Sequence, residues 1–121
     1  MQNPLKKCSI PLLNKLKIES NLKDNLDKIK KSNSYFHTFI NKDSLAVGLL
    51  VLKPGEEDTQ EPHGSDEVYF IVSGNGYLKI KNKNYEISKD TLFFVGKGVP
   101  HYFHSNTKEL KVLYFFGGSD S

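Results

Sequence analysis

The residues best equipped for chemistry fall into two clusters. The first runs from Pro54 to Glu67 and holds Glu56, Glu57, Asp58, Glu61, His63, Asp66 and Glu67. The second runs from Asp90 to Asn106 and holds His101 and His104. On an extended chain Glu61 and His63 share a face, because side chains alternate sides along a strand. Glu67 follows after a Gly64-Ser65 bend and opens an apolar run. His101 begins another such run much later, and it converges with the others only if strands wrap around a common interior. Imidazoles and carboxylates gathered from different strands make a donor set for a divalent first-row metal ion. A metal-free variant would use Glu61 and His63 as general acid and base. The same alternation sends Gln60 to the opposite face from Glu61, and Gln60 substitutes for it only if the strand is bulged. The alternative for Glu56, Glu57, Asp58 and Glu61 is a solvated acidic loop. Alternation also sends His104 to the opposite face from His101, and His37 falls in an outer strand as a structural residue.

The elements that must position these residues are mostly strands. Segments 34–41 and 44–53 are rich in Phe, Tyr, Val and Leu, with Asn41-Lys42-Asp43 as the turn between them. Strands are then expected over 67–73, 76–81, 85–87, 91–95, 101–105 and 110–116. Turn chemistry separates them, as in Gly74-Asn75-Gly76, Asn82-Lys83-Asn84 and Gly96-Lys97-Gly98. Short strands at close spacing without intervening helices predict an antiparallel sandwich or barrel. Ahead of them, Leu22, Leu26 and Ile29 form the apolar stripe of one short helix, with Ser20 as its cap and Lys28, Lys30 and Lys31 loading its last turn. Residues before it, with Pro4 and Pro11, read as an extended arm. The division expected is an arm and amphipathic helix over 1–33 and a barrel domain over 34–121.

Composition excludes several classes. A chain of 121 residues with 8 Phe and 6 Tyr is one folded domain and not a disordered segment. All 17 basic residues are Lys, and residues 1–31 carry net +5 while the remainder is net −2. Without planar, bidentate Arg, nucleic acid is not an expected partner. The longest apolar run, Leu45 to Leu52, is far short of the roughly 20 residues a spanning helix needs, so no membrane partner is expected. The lone Cys8 gives no internal disulfide, and a cytoplasmic location is the expectation.

The two clusters together resemble the cupins, small jelly-roll proteins with a double-stranded β-helix and two signature motifs. Gly55, His63, Glu67 and Gly74 stand at the first motif's spacing, with Glu61 where the family has its first His. Gly98 and His101 match the second motif, while Asp90 and Gly96 replace its Gly and Pro and Asn106 sits one place late. The resemblance covers about 34–117. It implies an all-β barrel in which His63, Glu67 and His101 hold a divalent transition metal (Fe, Mn, Ni or Zn), with Glu61 as a candidate fourth ligand. Two carboxylates would neutralise the ion, whereas the family's usual set leaves one positive charge. Tyr69 and Ile71 share the face of Glu67, and Phe103 that of His101, so all three are candidate substrate-binding residues. The function implied is a metal-dependent enzyme acting on a small organic molecule, whether oxygenase, isomerase or lyase. The rival is a non-catalytic binding or sensor module with a structural metal or none. Val68, Phe70 and Val72 make the opposite sheet face apolar too, which calls for cover by a second subunit, as in a homodimer, or by the N-terminal arm.

Overall fold

The structure is a computed structural model that describes residues 19–119. Within that range the chain forms one helix, α1 (Leu22–Lys30), and eight strands. These are β1 (Phe36–Lys42), β2 (Leu45–Leu52), β3 (Glu67–Ser73), β4 (Tyr77–Ile80), β5 (Lys83–Glu86), β6 (Leu92–Val95), β7 (His101–His104) and β8 (Leu110–Phe116). They build two antiparallel sheets, one ordered β1-β2-β8-β3-β6 and the other β5-β4-β7. The sheets face each other as a double-stranded β-helix.

Alternation along the strands decides what enters the barrel. On β8, Leu110, Val112, Tyr114 and Phe116 are buried, and on β3 Glu67, Tyr69 and Ile71 are. They meet Leu50 and Leu52 of β2 together with Leu78, Val95 and Phe103 in one core. Because β8 pairs with both β2 and β3, it forms the middle of the larger sheet and fixes the height of Glu67, which lies opposite Phe116. β2 is buried on both faces, which explains its unbroken apolar run. Its outward residues Leu49 and Val51 pack against Ile29, with Leu26, Phe39 and Leu113 around them. Helix α1 therefore covers the β2 part of this outer face, and not Val68, Phe70 and Val72 of β3. Farther along the same outer face, Leu92 and Phe94 of β6 remain 64% exposed.

Several boundaries differ from the sequence expectation for local reasons. The cap of α1 is Asn21, whose side chain accepts from the Asp24 N–H at 2.8 Å; Ser20 instead accepts from the Asn25 side chain. The first hairpin turns at Asp43-Ser44, because Lys42 still pairs with Leu45. The β4–β5 turn lies at Lys81-Asn82, where Lys81 adopts a left-handed φ of 56°. Residues 1–18, and with them the expected arm, lie outside the described residues. No helix among the described residues is long and apolar enough to cross a membrane.

Gly48 of β2 pairs with Thr38 and with Tyr114, and the Tyr114 ring lies directly over its α-carbon. A side chain there would collide with that ring, whose hydroxyl is 2.7 Å from Thr38 Oγ1. Gly48→Ala should therefore displace Tyr114 and lower stability by about 1–3 kcal/mol, the usual range for overpacking a filled core. Urea unfolding checks this; an unchanged midpoint would show that the ring has room to move.

Candidate metal centre

Glu67 is the first residue of β3, and the parity that buries Tyr69 and Ile71 turns its carboxylate inward. It is only 2% exposed. His101 is the first residue of β7, in the opposite sheet, and reaches Glu67 across the interior with its Nε2 3.2 Å from Oε1. His63 comes from the irregular connection between β2 and β3. Its carbonyl accepts the Gly98 N–H at 2.9 Å, and Asp66 Oδ1 accepts the Lys97 N–H at 2.9 Å, so the loop before β7 clamps the His63 loop in place. The His63 ring rests against Phe116, with centroids 4.3 Å apart, and its Nε2 lies 3.9 Å from Glu67 Oε1.

One ligand atom each from His63, Glu67 and His101 lies within 4.8 Å of the others. Their orientation suits a cation. His101 Nδ1 is 2.8 Å from the Val99 carbonyl, which can only accept, so Nδ1 carries a proton and Nε2 faces the cluster. Both Glu67 oxygens are buried without an aligned hydrogen-bond donor, the His101 approach being an ionic distance and not a directed bond. A sealed carboxylate lacking aligned donors, opposite two imidazole nitrogens, is a donor set that a divalent ion completes.

Tyr69 adds a hydroxyl 2.9 Å from both His101 Nε2 and Gln60 Oε1. Burial, reinforced by the Glu67 charge, holds its phenol pKa well above the usual tyrosine value, so the group stays protonated at neutral pH. Tyr69 also lines a cavity of about 380 Å³ beside the cluster. Ile71 and Phe103 do not; they pack in the core, Phe103 edge-on to the Tyr69 ring at 4.9 Å. Glu61 stands exposed at the cavity wall, outside the three-residue cluster. His104 binds Asn84 and Ser105 at 2.8 Å each, and His37 packs beside Phe39 on the outer face.

Two residues of this neighbourhood were misplaced by sequence reasoning. Gln60 faces the site, its Oε1 being 3.3 Å from His63 Nε2, because residues 60–66 are not a strand and alternation does not apply to them. Asp58, for which the sequence offered a solvated acidic loop, is buried and accepts from Tyr35, Gln60 and the Phe103 N–H. Pro54, Gly55 and Pro62 signalled an irregular backbone here.

Comparison with known proteins places these features. Residues 48–116 match the cupin domain family. An uncharacterized protein of Streptomyces coelicolor is 35% identical over 83 residues, covering 69% of this chain and 79% of its own. A solved structure from Bacillus halodurans superposes with a TM-score of 0.68 at 17% identity, covering 87% of this chain and 86% of that one. An RmlC-like cupin with a double-stranded β-helix fold from Methanocaldococcus jannaschii gives a TM-score of 0.64 at 15% identity, covering 74% and 86%.

The imidazole–carboxylate contact also sets a pH dependence. Desolvation lowers the His101 pKa, but the Glu67 carboxylate, the Val99 carbonyl and the Asp58 charge outweigh it and hold the value above the ordinary one. A raised folded-state value means that the contribution to stability is complete below the unfolded pKa of about 6.5 and is lost as pH rises through the folded value. The metal-free protein should thus lose stability to urea as pH climbs above about 6.5, and His101→Asn should flatten that slope. An identical slope in the variant would assign the dependence to other groups.

Proposed function

The chain belongs to the cupin family, and from that premise we propose that it holds a divalent transition metal on His63, Glu67 and His101 and acts there on a small organic molecule. The observation that carries this reading is the buried Glu67 carboxylate, without an aligned donor on either oxygen, facing His101 Nε2 and His63 Nε2. The ion would supply Lewis acidity and positions at which a small molecule is activated. The chain's own groups do the rest. Val99 holds His101 in the tautomer whose Nε2 faces the centre. The Tyr69 hydroxyl provides a proton-bearing group at the cavity wall.

The cavity favours a modest, partly aromatic or apolar ligand. Tyr35, Phe36, Pro62, Tyr114 and Phe116 line it, and among the described residues no Lys does. Its volume suits one small molecule. An anionic ligand would find Glu61 and Glu67 in the wall and, among the described residues, no Lys to offset them. Oxygenase, isomerase and lyase chemistry all remain compatible with such a site, since the fold alone does not choose a reaction. We extend the proposal to a homodimer in a cytoplasmic setting, the dimer supported by the exposed Leu92 and Phe94 on the outer sheet face.

Metal titration tests the central part. Protein stripped with a chelator should take up one Mn(II), Fe(II), Co(II), Ni(II) or Zn(II) per chain at neutral pH. Glu67→Gln, which keeps the shape and removes the charge, should weaken uptake by about 100-fold or more. No uptake of any of the five ions by the unaltered protein would end the metal reading.

A further inference from the structure

The residue in register with the family's missing imidazole does not join the cluster. Glu61 occupies that position in the motif, yet it is exposed and outside the cluster. Its neighbour Gln60 is partly buried, and its side-chain oxygen points into the site. We infer that Gln60, through Oε1, is the fourth protein donor to the metal, and that Asp58 is the positioning residue that aims it. This rests on the metal reading above and adds a ligand to it.

Asp58 determines which end of the Gln60 amide faces inward. Its Oδ2 lies 2.7 Å from Gln60 Nε2 and also accepts the Phe103 N–H at 2.8 Å. Oδ1 accepts from the Tyr35 hydroxyl at 3.0 Å and from the Gln60 backbone N–H at 3.3 Å. An ionised carboxylate only accepts, so the amide must present its NH₂ to Asp58 and its carbonyl oxygen to the centre. The reverse orientation would set two acceptors against each other inside the protein. A buried carboxylate anchored to the β7 backbone therefore holds a neutral oxygen donor in one direction.

Two donor pairs stand at the spacing of ligands to a single ion, and a third, His63 Nε2 to Glu67 Oε1 at 3.9 Å, fits an angle wider than tetrahedral. Two donors each about 2.1 Å from a metal are separated by about 3.0 Å at right angles and about 3.4 Å at the tetrahedral angle. Gln60 Oε1 and His63 Nε2 are 3.3 Å apart, and His101 Nε2 and Glu67 Oε1 are 3.2 Å apart. The Tyr69 hydroxyl donates to the same Gln60 oxygen at 2.9 Å, and a carbonyl oxygen has a second lone pair to offer. Charge follows from the donor type. With Gln60 in the set, Glu67 is the sole anionic ligand and a divalent ion keeps one positive charge. With Glu61 it would keep none. The substitution at position 61 thus leaves the charge of the usual three-His, one-Glu centre intact.

The test uses the full chain, stripped of metal and titrated with Mn(II) and Zn(II) against a competing chelator, with the visible spectrum of the Co(II) form as a second readout. Gln60→Ala should weaken both ions by at least about tenfold and alter the Co(II) bands, because a donor is lost from the ion itself. Glu61→Gln should change neither. Tyr69→Phe, which removes the hydroxyl bound to Gln60 but no donor, should leave the Co(II) bands in place. If Gln60→Ala folds poorly, Gln60→Met keeps the stem length and exchanges the hard oxygen for a soft sulfur; it should depress Mn(II) binding in the same way. Unchanged affinity and spectrum in the Gln60 variants, with Glu67→Gln still disrupting the site, would overturn this inference and leave the metal reading standing. Loss in Glu61→Gln but not in the Gln60 variants would overturn it in favour of Glu61. Matching spectral changes in Tyr69→Phe and Gln60→Ala would reduce Gln60 to a positioning role and overturn it too. Failure of the unaltered protein to bind any ion would remove both.

Discussion

A carboxylate closed inside a barrel of Phe, Tyr, Leu and Val is the constraint around which the functional end of this molecule is built. Taking an ionised group out of water costs several kcal/mol unless charge or hydrogen bonds compensate. Glu67 has no aligned donor on either oxygen, so compensation has to come from charge across the barrel. A protonated His101 supplies it in part when no ion is bound; a divalent ion would supply more, with His63 joining the set. The raised His101 pKa and the proposed affinity for a cation are therefore two expressions of one buried negative charge. Proton and metal would compete for the same His101 nitrogen.

The scaffold holds that charge by long-range contacts. β8 runs through the centre of the larger sheet and fixes β3 beside it, while β7 approaches from the smaller sheet. His63, which lies in a loop, is held by the Gly98 N–H, which donates to its carbonyl from the loop that leads into β7. Asp58 performs the same service on the other side, joining the β2–β3 connection to the Phe103 N–H. Both sides of the site are thus tied to β7, so displacement of that short strand would disturb every donor together. Helix α1 lies far from this work; it covers Leu49, Val51 and Leu113 on the outer face and protects the sheet on which Glu67 depends.

What was legible in the sequence was whatever repeats at short range. Alternation in β3 and β8 gave both strands to the residue and assigned the inward face that carries Glu67, Tyr69 and Ile71. The spacing of Gly55, His63, Glu67, Gly74, Gly98 and His101 was enough to bring three donors together. The turns shifted where Lys81, Asp90 and Ser105 accept left-handed backbone angles that the glycine and asparagine signals do not announce. Gln60 was misjudged because a rule for strands was applied to a loop. Asp58 was misjudged because its burial depends on a partner 45 residues away, which no local charge pattern reveals. Neither residue belongs to the motif, and both act on the centre through side-chain geometry alone.

Diffraction from crystals of the metal-loaded protein, collected at the absorption edge of the added ion, tests the account most directly. One anomalous peak is expected inside the barrel at about 2.1 Å from His63 Nε2, His101 Nε2 and a Glu67 oxygen, with Val99 still bonded to His101 Nδ1. Crystals loaded with Mn(II) or Zn(II) that show no peak there, or a peak held only by the exposed acids near Glu57 and Glu61, would contradict it.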